Sequence, residues 1–175
     1  MQRSFGPRSQ LLANLGFYFL AVNYRGVDGY GRNYSDAYNP SNAAQDVLAA
    51  YQWLINNPGV DQNNIFIFSM SGGTPIVLEL LHLTPEHWRG VAIDKPSSID
   101  NPSRFNAIKM PPLLLISGDQ DQALPSVNKF IEWTKNNSVP ARIIIYTNAA
   151  HITYDLKSRK QSQKQVADFF IESLK

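Results

Sequence analysis

The chain has 175 residues, a formal net charge of +2, and 43% hydrophobic against 17% charged residues. This length allows one domain with a sizeable core, and the composition is too apolar for intrinsic disorder. The small charge gives no reason to expect nucleic-acid binding, no apolar run is long enough for a membrane span, and the lack of cysteine excludes disulfides, thiolate metal sites and cysteine nucleophiles. Residues 1–10 contain no apolar signal-peptide core, so we expect a cytoplasmic location by default.

Helical periodicity and apolar runs alternate along the chain. In chain order they predict helix 7–15, strand 17–24, loop 26–40, helix 42–57 capped by Ser41, strand 65–70, helix 74–82, strand 90–94, loop 95–111, strand 112–118, helix 125–136, strand 141–148 and helix 160–174. Near-continuous apolar strands suit a parallel sheet that is covered on both faces. The alternation therefore predicts an α/β fold with a doubly wound, mostly parallel sheet in a single domain, 1–175.

Sites in such sheets lie beyond the carboxyl ends of the strands. One strand end leads into Ser69-Met70-Ser71-Gly72-Gly73 and then into a helix, the context of a nucleophile elbow. The small residues Ser69 and Gly73 permit the sharp turn, and the Gly72 N–H is placed to donate to an oxyanion. The alternative at this point is a glycine-rich turn that cradles a phosphate, as in a flavodoxin-like binding module.

Two further strand ends supply partners for a serine nucleophile. Asp121 follows the strand at 112–118, and His151 follows the strand at 141–148. A serine needs a histidine base, and the histidine needs an acid that fixes its tautomer. The order Ser71, Asp121, His151 is the order found in α/β-hydrolases. Asp119 competes with Asp121 for the acid role. His82 and His87 compete weakly with His151, but they are expected at the amino-terminal side of the sheet and are interpreted as structural or surface residues.

Several motifs together resemble the catalytic domain of the prolyl oligopeptidase family of α/β-hydrolases, and the likeness runs from about Gly6 onward. They are Asn23-Tyr24-Arg25-Gly26 with Gly29-Tyr30-Gly31, then residues 69–73, then residues 118–125, and His151. The resemblance implies a serine peptidase and selects Asp121 rather than Asp119 as the acid. It implies a peptide substrate, with carboxylic esters as the chemical alternative, and no cofactor or metal.

The chain departs from the family pattern at two places. Ser69 stands where the family usually has glycine. Ser4-Phe5-Gly6-Pro7 stands where the family has a His-Gly-Gly-Pro or Tyr-x-Gly-Pro segment, so we expect only a weaker second oxyanion donor near Phe5 or Gly6. The strand before that segment is almost absent, and the family places it between the strands at 17–24 and 65–70.

These departures predict a catalytic domain without its first strands and without an N-terminal filter domain. We expect an isolated chain of this kind to be weakly folded, homo-oligomeric or poorly active, because an interior strand needs backbone partners on both sides. A catalytically impaired remnant is therefore the second hypothesis. Met70 is expected to line an acyl pocket, and Arg25 is expected to form a salt bridge with Asp46 rather than to bind a substrate carboxylate.

Overall fold

A computed structural model describes residues 6–151 and 155–175. Backbone contacts divide the chain into two compact units, one within Met1–Gln62 and one formed by Asn63–Lys175. That both units belong to a single domain, 1–175, remains a prediction. In the described residues, no helix combines the length and the apolar character needed to cross a membrane.

The first unit is helical. It contains α1 (Pro7–Asn14), the single-turn α2 (Arg32–Ser35) and α3 (Pro40–Ile55). The cap of α3 differs from the prediction, because the side chain of Asn39 rather than Ser41 accepts a hydrogen bond at the helix start, from the Ser41 N–H. Pro40 begins the helix two residues earlier than predicted, since proline fits the first helical position, where no N–H donor is needed.

Residues 17–24 do not form the predicted strand. They have no regular secondary structure and take no part in the sheet of the described residues, and Tyr18 is 70% exposed. The prediction was wrong because an apolar run indicates only that a segment could be buried, whereas a strand also requires neighbouring backbone groups to pair with.

Arg25, which directly follows this segment, joins it to α3. Its backbone N–H donates to Asp46 Oδ2 at 2.8 Å, and its Nε lies 2.9 Å from the same oxygen. A guanidinium N–H also donates to the Asn42 carbonyl. The hydrogen bonds from Arg25 lower the pKa of the Asp46 carboxyl below its ordinary value. The predicted salt bridge is confirmed.

The second unit is built on a four-stranded parallel sheet in the order β1-β2-β3-β4. Its strands are β1 (Phe66–Ser71), β2 (Gly90–Pro96), β3 (Leu113–Gly118) and β4 (Ala141–Tyr146). Its α-helices are α4 (Thr74–Leu83), α5 (Leu124–Asn136) and α6 (Leu156–Ser173), and short 3-10 turns occur at Pro85–His87, Pro102–Arg104 and Ala107–Lys109. The predicted α/β fold with a parallel sheet is confirmed.

The core of this unit lies around the two central strands. Every residue of β3 is buried, and so are all residues of β2 except Lys95. Complete burial of a parallel strand requires cover on both faces. On one face α6 packs through Phe170, whose ring lies 4.7 Å from that of Phe66, and through Ser162, whose hydroxyl donates to the buried Asp94 at 2.6 Å. Because crossovers between parallel strands are right-handed, α4 and α5 are expected on the other face.

Candidate active site

The serine turn lies where β1 ends and α4 begins. Ser71, the last residue of β1, has a φ of +50°, a left-handed conformation that a non-glycine residue holds only when its surroundings enforce it. The turn is tight, since a Cβ added to Gly73 would lie 3.3 Å from the Ser69 Cβ. Small residues on either side of Ser71 are therefore a steric requirement of this turn.

Ser69 occupies the position where the resemblance predicts glycine. Its side chain fits, but it is only 7% exposed, and its hydroxyl has no hydrogen-bond partner among the described residues. An unpaired buried hydroxyl costs roughly 1–3 kcal/mol. Serine therefore fits in place of glycine at this position, but it leaves one buried hydroxyl oxygen without a hydrogen-bond partner in the described residues.

The structure brings Ser71, His151 and Asp121 together. The Ser71 Oγ lies 2.8 Å from His151 Nε2, and His151 Nδ1 lies 2.8 Å from Asp121 Oδ2. The Asp121 side chain is fully buried, and its second oxygen accepts a hydrogen bond from the Ala123 N–H at 2.9 Å. When Nδ1 donates to Asp121, Nε2 is the acceptor for the serine hydroxyl. The three side chains form one continuous hydrogen-bonded chain.

The loops after β3 and β4 hold these residues at their places by direct contact. Asp119 is exposed, and its carboxylate accepts from the Ala149 N–H at 3.2 Å. The Gln120 N–H donates to the Ala149 carbonyl at 3.0 Å. A Cβ on Gly118 would lie 1.9 Å from that same carbonyl oxygen, so only glycine fits there. Asp119 therefore fastens the loop that leads to His151, while Asp121 contacts the ring itself.

A depression of about 700 Å³ opens beside the serine. Ser71, Asp121 and His151 line it, together with residues from the segments 97–102 and 122–129. Met70, predicted to line an acyl pocket, is 46% exposed and is not part of this lining. Side chains alternate along a strand, so Met70 projects to the face opposite Ser69.

The segment 97–102 is the part of the site that sequence reasoning missed. It was predicted only as a polar, proline-rich loop, because it lacks periodicity. A signal was available, since this loop directly follows the carboxyl end of β2, the end of a parallel strand at which sites lie.

The Gly72 N–H is available as a donor at the N-terminal end of α4. It has no hydrogen-bond partner in the part of the chain that the structure describes, and a Cβ added to Gly72 would meet no atom within 4 Å. The positive end of the α4 dipole favours negative charge at this place. Of the predicted second donors, Phe5 lies outside the described residues and Gly6 lies in the other compact unit, so their roles remain predictions.

The competing histidines are not part of the depression. His82 Nδ1 lies 3.1 Å from the Arg104 carbonyl, and the His87 ring lies edge-on to Trp88. Within residues 6–151 and 155–175, no three histidine or acidic side chains are grouped as metal ligands would be. The arrangement can support chemistry at the Ser71 hydroxyl, which lies within hydrogen-bond distance of an imidazole nitrogen of His151 and next to the open N–H donor of Gly72.

The chain is similar in sequence to known proteins. The sequence profile of the prolyl oligopeptidase family matches residues 3–104. The chain is similar to dipeptidyl aminopeptidase BIII of Pseudoxanthomonas mexicana, 33% identical over 100 residues, which is 55% of this chain and 14% of that protein. It is also similar to the human acylamino-acid-releasing enzyme, with 22% identity in an alignment 196 positions long that covers 87% of this chain and 27% of that enzyme. The chain thus spans a minor part of the relatives that it matches.

Solved structures show the same fold. The acylaminoacyl peptidase of Pyrococcus horikoshii superposes with a TM-score of 0.79 at 21% identity, over 93% of this chain and 33% of that one. Dipeptidyl peptidase 4 of Porphyromonas gingivalis superposes with a TM-score of 0.74 at 18% identity, over 85% of this chain and 26% of that one. Because the family profile matches more than half of this chain, the chain belongs to the prolyl oligopeptidase family.

Proposed function

We propose that this chain is a serine hydrolase that cleaves peptide bonds through an acyl-enzyme intermediate. The observation that carries the proposal is the unbroken hydrogen-bonded chain from the Ser71 hydroxyl through His151 to the buried Asp121 carboxylate, with distances of 2.8 Å at both steps. The strained φ of +50° at Ser71 supports it further, since such conformations concentrate at functional sites. Membership in a peptidase family supports the peptide bond as the target.

The proposed reaction has two halves. In the first, the Ser71 Oγ bonds to the substrate carbonyl carbon while His151 Nε2 takes the hydroxyl proton; the C–N bond then breaks, and His151 returns that proton to the leaving amine. In the second, a water oxygen bonds to the acyl carbon while His151 Nε2 takes a water proton; the bond between that carbon and the Ser71 Oγ then breaks, His151 returns the proton to the Oγ, and the carboxylic acid leaves. Asp121 keeps the imidazole oriented and stabilises its protonated form, and the Gly72 N–H donates to the oxyanion.

The names of two relatives, a dipeptidyl aminopeptidase and an acylamino-acid-releasing enzyme, supply two candidate substrate classes for this proposal. A blocked aminoacyl p-nitroanilide and a dipeptidyl p-nitroanilide with a free amino group separate these two alternatives. A p-nitrophenyl ester tests the esterase alternative, because an ester is cleaved more readily than an amide. Hydrolysis of the ester alone would favour the carboxylesterase reading.

The decisive variants are Ser71→Ala, His151→Ala and the double variant, with His82→Ala as the matched control. We expect each single variant to lose most of the activity, about a thousandfold or more, and the double variant to be little worse, because the residues act as a unit. His82→Ala should retain activity. Losses that simply add, or activity that persists in Ser71→Ala, would refute the mechanism, and an inert wild-type chain would favour the impaired remnant.

A further inference from the structure

One buried hydroxyl connects the serine turn to residues 97–102, which form one wall of the depression. Thr74, the first residue of α4, is fully buried. Its Oγ1 donates to the Ser71 carbonyl at 2.7 Å and accepts from the Ser97 N–H at 3.0 Å. A single side chain thus satisfies two backbone groups that come from the ends of two different strands, β1 and β2.

Both strand ends are strained at the level of this hydroxyl. Ser71 and Lys95 each have a φ of +50°, and the register between β1 and β2 shifts there, so that Ser71 lies opposite Pro96. Backbone in such conformations persists only where its surroundings hold it. The Thr74 hydroxyl bonds to the carbonyl of the first strained residue and to the N–H two residues after the second, so it is placed to hold both turns in a fixed relation.

The part of this wall around Ile99, farther from Ser71 along the chain, is held by a second side-chain hydroxyl, that of Ser126. The Ile99 N–H donates to the Ser126 Oγ at 3.1 Å, and the Ser126 hydroxyl donates to the Ala123 carbonyl at 2.9 Å. Ile99 is 1% exposed. The segment 97–102 is therefore fastened to α4 through Thr74 and to α5 through Ser126, although it contains little regular structure.

We propose that Thr74 is a positioning residue that couples the Ser71 turn to the substrate-facing segment 97–102, and that Ser126 holds only the far part of that segment. Because Thr74 bonds to both the serine turn and the wall, it sets both the attack geometry and the shape of the depression. Ser126 contacts the wall without contacting Ser71, so it affects substrate binding. The kinetic part of this inference rests on the proposed hydrolase function.

Hydrogen exchange tests the anchors without any substrate. In the wild-type chain the Ser97 and Ile99 amides should exchange slowly; rapid exchange of both would overturn the proposal whatever the variants do. Thr74→Val, which keeps the shape of the side chain but removes the hydroxyl, should accelerate exchange at Ser97. Thr74→Ser should restore protection, and Ser126→Ala should accelerate exchange at Ile99.

Kinetics on a p-nitrophenyl ester separate positioning from general stability. Thr74→Val should lower kcat/KM by about 10- to 100-fold, with part of the loss in kcat, because a small misplacement of a reacting group is costly. Thr74→Ser should recover most of that loss. Ser126→Ala should raise KM about fivefold, as expected for one lost hydrogen bond, and leave kcat nearly unchanged.

The matched control is Thr134→Val. Thr134 is 1% exposed and its hydroxyl donates to the Ile131 carbonyl within α5, so this variant loses a buried hydroxyl that does not belong to the depression. Its kcat/KM should stay within about twofold of wild type. Equal kinetics in Thr74→Val and Thr134→Val would overturn this inference while leaving the proposed function intact. Full activity in Ser71→Ala would instead overturn the proposed function.

Discussion

Replacing Asp121 by asparagine tests the acid of the hydrogen-bonded chain with almost no change in shape. Asp121 uses one carboxylate oxygen for His151 and the other for the Ala123 N–H. Asparagine has only one acceptor oxygen. If that oxygen stays with Ala123, the amide NH₂ faces His151 Nδ1 and forces the ring into the tautomer that carries its proton on Nε2, which then cannot accept from Ser71.

We expect this variant to lose about 10⁴-fold in kcat, the loss that a wrong histidine tautomer causes in serine proteases and about 5.4 kcal/mol of barrier. Asp119→Asn is the matched control, since asparagine retains an oxygen for the Ala149 N–H that Asp119 now binds. The assay is steady-state hydrolysis of a p-nitrophenyl ester, with thermal melts to verify folding. A folded Asp121→Asn within tenfold of wild type, or a larger loss in Asp119→Asn, would refute the assignment.

Three further substitutions have expected outcomes. Gly118→Ala should lower kcat/KM at least tenfold and reduce the melting temperature. The added Cβ would lie 1.9 Å from the Ala149 carbonyl oxygen and would displace the loop that leads to His151. Unchanged kinetics would contradict this steric argument. Ser69→Ala should raise the free energy of unfolding in urea by roughly 1 kcal/mol, because it removes an unpaired buried hydroxyl, and a decrease would be the opposite of this expectation. Asp46→Asn should destabilise the chain at neutral pH. Arg25 lowers the pKa of the Asp46 carboxyl in the folded state, so the stabilisation from this pair is present above the ordinary pKa of 3.8 and is lost as the pH falls below it. Denaturation curves of the wild type and of Asp46→Asn should therefore converge in acid.

The sheet of the second unit was predictable because its strands are marked by composition. The central strands β2 and β3 are buried throughout, and burial of that kind leaves near-continuous apolar runs such as residues 112–118. The positions of Ser71, Asp121 and His151 follow from the same fact: parallel strands end at one edge, so residues just past those ends meet. The strand ends alone left both Asp119 and Asp121 as candidates for the acid, and the family resemblance was needed to select Asp121.

Two features could not be predicted because they depend on contacts between residues that are distant along the chain: the conformation of residues 17–24 and the position of segment 97–102. Residues 17–24 carry the composition of a buried strand, yet strand formation depends on a partner elsewhere in the chain. The segment 97–102 shows no periodicity because it is held by two side-chain hydroxyls, from Thr74 and Ser126, rather than by a helical or ladder pattern. Contacts of single hydroxyls leave no repeat in the sequence, and for that reason the wall of the depression was not predicted.

A fluorophosphonate probe tests whether Ser71 is an activated nucleophile. The probe phosphorus reacts with an activated serine hydroxyl and requires nothing of the natural substrate. The chain has fifteen serines, so peptide mapping by mass spectrometry identifies the one that reacts. We expect labelling at Ser71 alone, abolished in His151→Ala and retained in His82→Ala. Labelling at another serine, or none in the folded wild-type chain, would contradict it.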